Sequence, residues 1–323
     1  MEFRLIWILA LVVAACRPDP ELLEPELIDV IDLGDLYGTR TGAATLGEDY
    51  HDQVYYSLEK NEVVATVNKF SWDFGMTPDS VLRLNSAVLN LRIAEAPGPW
   101  EAEVDAAELT WLYDGPTGDP ATLAVGADWA NRVWVVDRGL DSEGAPRGRF
   151  KCQIHSASDS LFLHVAQLDG SNEQIFSGTL DPQLHLTAWS LEAGQVEAAP
   201  PADSWDLLFT SYLYVFDPET EPFPYAVTGA LLNPTGHKAT LLTDQAFDEV
   251  AIEDVAGLSD AEDAVGYDWK VYDLDLGLYT VRDNWTYIVQ ADPETMYALA
   301  FTGFNDALGR RGTPKFSFRR LPL

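Results

Sequence analysis

The sequence predicts an all-β protein, with two tandem, related β-sheet domains following a lipoprotein signal peptide and an acidic tether. Three observations predict it. Apolar and polar residues alternate along many short runs, turn-forming residues separate those runs, and one residue pattern occurs twice.

The alternation comes first. Leu89, Leu91 and Ile93 alternate with Asn90 and Arg92, and Tyr212, Tyr214 and Phe216 alternate with Leu213 and Val215. Phe316 and Phe318 alternate in the same way with Lys315, Ser317 and Arg319. A period of two places successive side chains on opposite faces of a strand. Ala96-Pro97-Gly98-Pro99, Asp114-Gly115-Pro116, Asp169-Gly170, Asn233-Pro234-Thr235-Gly236 and Arg311-Gly312-Thr313-Pro314 supply turn chemistry between such runs. Helix is expected to be minor, with Asp244 to Ala256 as the one ambiguous segment.

The repeat sets the organisation. Tyr56-Ser57-Leu58-Glu59 leads through Val63 to Ser71-Trp72-Asp73, and Trp189-Ser190-Leu191-Glu192 leads through Val196 to Ser204-Trp205-Asp206 with the same spacing. A duplicated domain explains this. A WD40 propeller does not, because its blades recur about every 40 to 45 residues. Later landmarks keep the same order: Val135-Val136-Asp137-Arg138 then Phe150 to Ile154 in the first half, Val281-Arg282-Asp283 then Tyr297 to Phe301 in the second. The expected layout is a signal peptide at 1–15, an acidic tether at 16–48, an N-terminal β domain at 49–180 and a C-terminal one at 181–323. In each copy the Trp is expected to be buried and the adjacent Asp to satisfy backbone donors at a turn.

The first residues carry an address. Leu5 to Ala15 form an apolar run too short to span a bilayer, placed after Arg4 and before Cys16, as in a signal peptide. Val13-Ala14-Ala15-Cys16 looks like a bacterial lipobox, so Cys16 is the expected lipidation site and membrane attachment needs no spanning helix. Lipidation of Cys16 would leave Cys152 as the only other cysteine, read as a buried thiol on the strand face of Phe150, Cys152 and Ile154.

Charge excludes one class of partner. With 20 Lys plus Arg against 52 Asp plus Glu, the net charge is −32, which repels nucleic acid. Neither Asp273-Leu274-Asp275-Leu276-Gly277 nor Asp169-Gly170-Ser171-Asn172-Glu173 has the ligand pattern of an EF-hand. No nucleophile motif, metal cluster or phosphate-cradling loop points to an enzyme.

Ser204-Trp205-Asp206-Leu207-Leu208-Phe209, Pro224 to Pro234, Val265 to Tyr272, and the run from Phe301 to Phe318 together resemble the HmuY-like family. The resemblance covers about 184–321, and more weakly about 50–180 through Asp137-Arg138-Gly139, Phe150-Lys151 and Leu168-Asp169-Gly170. It implies a largely β, cell-surface lipoprotein of a Gram-negative outer membrane, with capture of haem between two axial side chains in the best-known members. Gly236-His237 falls approximately where one axial His is found, making His237 the candidate haem ligand. The second axial position falls near Asp273 or Leu274, neither a usual haem ligand; nearby Tyr272 offers an oxygen donor. His51, His155, His164 and His185 are weaker candidates, and no pair has metal-site spacing. Arg310, Arg311, Arg319 and Arg320 are read either as partners for haem propionates or, preferentially, as strand-edge charge. The alternative function is a non-haem interaction or structural lipoprotein, binding protein or carbohydrate, with Trp100, Trp111, Trp129, Trp134 and Trp285 to test as sugar platforms.

Overall fold

Strands fill the body because the alternating runs bury one face each. The computed structural model describes residues 37–322, apart from 158–159, 217–222 and 276. The expected signal peptide, Cys16 and nearly all of the tether lie outside the described residues.

The first strands are β1 (Arg40–Ala43), β2 (Asp52–Ser57), β3 (Glu62–Asn68), β4 (Phe74–Met76), β5 (Leu82–Leu84) and β6 (Leu91–Glu95). There follow β7 (Trp134–Arg138), β8 (Arg149–Ala157), β9 (Ser160–Ala166), β10 (Gln174–Thr179), β11 (Thr187–Ser190) and β12 (Gly194–Val196). The remainder are β13 (Leu207–Phe216), β14 (Phe223–Leu232), β15 (Lys238–Leu242), β16 (Lys270–Asp273), β17 (Leu278–Val281), β18 (Thr286–Asp292), β19 (Thr295–Asn305) and β20 (Arg311–Arg320). The ambiguous segment near 244–256 contains two short 3-10 turns, Phe247–Glu249 and Ile252–Asp254.

These strands form two β-sandwich lobes. In one lobe the sheet β10-β9-β8-β7-β6 packs on the sheet β12-β11-β4-β5. Its core joins Phe74, Met76 and Trp189 to Trp134, Val136 and Ile154, and Cys152 lies within it as a buried free thiol. The other lobe packs β1-β20-β19-β18-β15 on β14-β13-β2-β3. Its core is aromatic: Phe209 stacks on Phe316 at 5.2 Å, and Trp269 on Phe301 at 3.9 Å. The expected inward positions Phe316 and Phe318 are both fully buried there.

The five-stranded sheets match strand for strand: β6 to β10 correspond to β15, β18, β19, β20 and β1. The last strand of the second set therefore comes from the start of the chain. β1 pairs with β20, and β2 with β13, while in the other lobe β4 pairs with β11. Each lobe draws strands from both sides of residue 180, and residues from Tyr37 onward form one compact unit. The match also corrects one landmark. The counterpart of Trp134–Arg138 is Thr286–Asp292, not Val281–Asp283, because the second copy inserts the β16–β17 hairpin before it.

The Trp-Asp pairs close this arrangement. Asp206 Oδ2 accepts the Leu58 amide at 2.6 Å, and Asp73 Oδ2 accepts the Leu191 amide at 2.9 Å. The Ser-Leu-Glu segment of each sequence copy thus docks on the Trp-Asp of the other. Asn85 and Asn233 repeat the symmetry: each side-chain amide donates to the carbonyl of its Trp, at 3.0 and 2.7 Å. Trp72 and Trp205 stand in equivalent places, both buried where the four-stranded sheets of the two lobes meet. Where β14 meets the loop before β16, close approach demands glycine: a Cβ on Gly229 would lie 2.2 Å from the Gly266 carbonyl oxygen.

Candidate functional site

His237 enters at the start of β15, after the turn at Gly236, whose φ of +102° is a left-handed value open to glycine. Its ring turns towards Asp206, and Nε2 lies 2.9 Å from Oδ1. Asp206 accepts, so Nε2 carries the proton and Nδ1 keeps a lone pair. That Nδ1 is buried and has no hydrogen-bond partner. The equivalent acid, Asp73, receives Arg138 Nε at 2.9 Å instead. A guanidinium faces Asp73 and an imidazole faces Asp206.

His237 lines a cleft of about 930 Å³ at the meeting of the lobes. His185, which sequence reasoning ranked low, lines the same cleft. Its ring packs edge-on against Trp205 at 5.2 Å, and its Nδ1 is likewise buried without a partner. Burial lowers the His185 pKa to about 3, with the Arg83 charge acting in the same direction, so the ring is neutral near pH 7. Beside it Arg83 and Glu262 form a two-point ion pair across the lobes, with Nη2 to Oε2 at 3.0 Å. These two residues are 179 positions apart, and no local pattern links them. Asp79 and Asp260 add acid to the rim.

Tyr272 lies elsewhere. It is 47% exposed on β16, edge-to-face with Tyr279 at 5.0 Å, and lines a second cleft of about 550 Å³ that His237 does not reach. The structure therefore does not bring His237 and Tyr272 to one site. Lys69, Lys270 and Arg311 also line this second cleft. A third space of about 60 Å³, lined by Trp72, Trp205 and His185 among others, lies between the lobes.

The other candidates have separate places. Arg310 pairs with Asp306, Arg319 donates to carbonyls of Phe247 and Asp248, and Arg320 to Thr295 Oγ1 at 3.1 Å. Only Arg311 of that cluster faces the tyrosine cleft. Trp129 and Trp134 are core, while Trp100, Trp111 and Trp285 are partly buried against apolar clusters. His164 stacks on Trp100 at 3.8 Å. Burial pushes the Cys152 thiol up to about 12, which suits an inert core residue. Among the described residues, no group of three or more His, Cys, Asp or Glu is arranged to hold a metal ion.

Two sandwich lobes, each built from strands on both sides of residue 180, define an all-β fold. The family model described as "HmuY protein" matches residues 49–318, and the chain belongs to that family. Among solved structures, apo PinO from Porphyromonas gingivitis is similar at 7% identity, covering 88% of this chain and 97% of that one, with a TM-score of 0.37. The apo HmuY analog of Tannerella forsythia is similar at 9% identity, covering 90% of this chain and 100% of that one, with a TM-score of 0.20. No curated protein matches.

Proposed function

We propose that this chain is a cell-surface lipoprotein, anchored to the outer membrane through Cys16, that captures haem or a related tetrapyrrole and catalyses no reaction. One observation carries the reading: two imidazoles, His237 and His185, line one cleft of about 930 Å³, and each keeps an Nδ1 that nothing else uses. Haem, when bound, supplies an iron with two axial positions, which neutral imidazole nitrogens fill well. Asp206 would hold the His237 proton on Nε2, the second-sphere role a carboxylate plays behind a ligating His. The depressed pKa of His185 keeps its lone pair available near neutral pH. Lys238, on the same cleft, is a cation placed for a propionate. His237 remains the ligand expected from the family resemblance; His185 takes the place that Tyr272 was expected to fill.

A non-haem interaction lipoprotein is the second reading, and a specific observation favours it: both free nitrogens lie beneath the cleft surface, so iron capture requires the rings to turn outward. Titration of the protein with haemin separates the two. A sharp, saturable Soret band abolished by His237→Ala and by His185→Ala supports haem capture. A broad shift indifferent to both substitutions supports the second reading.

A further inference from the structure

A smaller space of about 190 Å³ lies beside β13, and its lining combines aromatic rings with acids. We propose that it is a binding site for a short-chain alkylammonium cation, separate from haem capture at His237.

Charge supplies the first argument. Asp263 and Asp268 line the space, and among the described residues no Lys, Arg or His does. Burial raises the Asp263 pKa against the pull of its own amide, and the Glu262 charge adds to the rise. An arriving ammonium would offset that burial and favour the ionised carboxylate. The net charge of −32 draws cations towards such a surface.

The rings supply the second. Tyr214 meets Tyr267 at 5.2 Å and 65°, and Trp285 meets Tyr287 at 6.5 Å and 74°, and both pairs line the space. Two angled pairs give walls that face in different directions, and each ring face attracts a cation. Trp285 already holds one: the Arg282 guanidinium lies 4.6 Å from its centroid, anchored by donation from Nε to the Asp268 carbonyl at 2.8 Å. Arg282 itself does not line the space.

A buried hydroxyl supplies the third, and it selects a ligand that carries N–H. Tyr212 is 1% exposed, lines the space, and its hydroxyl has no hydrogen-bond partner. Asp263, Tyr267, Asp268 and Tyr214 act electrostatically on that hydroxyl and line the same space, so the group is aimed into it. A primary ammonium has three donors, enough for the Tyr212 oxygen and the carboxylates. A quaternary ammonium would leave the hydroxyl unsatisfied. The loop carrying both acids is fixed to β14 by paired backbone bonds between Ala230 and Gly266, each 3.0 Å. Sites for drug-sized molecules run from about 300 to 1,000 Å³, so this smaller space suits an amine head with a short tail.

Nuclear magnetic resonance titration with n-butylammonium chloride tests the proposal, followed on the Trp285 indole N–H, whose signal is assigned by its loss in Trp285→Phe. A saturable shift is expected with butylammonium and none with neutral 1-butanol. Tetramethylammonium, charged but without N–H, should bind about fivefold more weakly. Asp263→Asn should weaken butylammonium about tenfold, and Tyr212→Phe about fivefold. Tyr212→Phe removes a hydroxyl that bonds to nothing in the protein, so its circular dichroism melt should match the parent. His185→Ala should leave the titration unchanged even where it abolishes haemin binding, which keeps the two sites' failures apart. Equal affinity for 1-butanol or tetramethylammonium, or butylammonium binding unaltered by Asp263→Asn or by Tyr212→Phe, overturns the proposal.

Discussion

Asp73→Ala should be among the most destabilising single substitutions in the chain, and clearly worse than the matched Asp206→Ala. Asp73 is fully buried and accepts the Leu191 amide at 2.9 Å and Arg138 Nε at 2.9 Å. Removing it strands a buried N–H and leaves a guanidinium of 5% exposure with one remaining carboxylate, Glu192, which is 61% exposed. Breaking a buried ion pair from one side costs about 3–5 kcal/mol, and a stranded buried donor about 1–3 kcal/mol. The two overlap at one side chain, so about 5 kcal/mol is expected in total. At roughly 2–4 °C per kcal/mol for a chain of this size, the melting temperature should fall by roughly 10–20 °C. Asp206→Ala also strands an amide, that of Leu58, but its second partner is the His237 ring and not a buried guanidinium. Its cost should be about 2–3 kcal/mol. Urea melts followed by circular dichroism on the unlipidated chain measure both. A cost for Asp73→Ala within about 1 kcal/mol of the parent, or an inverted order, would refute the argument that these acids close the two lobes.

Three further outcomes are expected. His185 is neutral when folded, with a pKa near 3, and titrates near 6.5 when unfolded, so the unfolded chain binds the extra proton between those values and stability falls as pH drops below about 6.5. The penalty is about 2 kcal/mol at pH 5 and should be absent from His185→Phe, as paired melts at pH 5 and pH 8 would record. Arg83→Met leaves Glu262 unpaired at the lobe junction and should cost about 3 kcal/mol, most of it recovered by adding Glu262→Leu, in a double-mutant cycle read by urea melts. Cys152, 1% exposed with its thiol raised to about 12, should resist a chromogenic disulfide reagent in the native chain and react fully in denaturant.

Local pattern made much of the fold legible. Phe316 and Phe318 point inward because a strand with period-two apolar residues buries one face, and their alternation is visible without a structure. The Trp-Asp repeat was equally visible, as was the backbone-capping role of the Asp. What pattern did not reveal is pairing. β2 pairs with β13 because sheet closure selects a partner some 150 residues away, and that choice leaves no mark in either strand's alternation. The β16–β17 hairpin shifted the second copy's landmarks, so Val281–Asp283 resembled Val135–Arg138 without occupying its place. His185 sits in a Pro-Gln-Leu-His loop with no periodic signal, and only its meeting with Trp205 and His237 across the lobes marks it. Tyr272 carries a donor oxygen near an expected position, yet it faces a different cleft.

The most direct test of haem capture between the lobes is electron paramagnetic resonance of the ferric haem complex. Two imidazole ligands predict a low-spin signal that gives way to a high-spin one in either His237→Ala or His185→Ala. A spectrum that neither substitution changes would place the iron away from both rings and contradict the account.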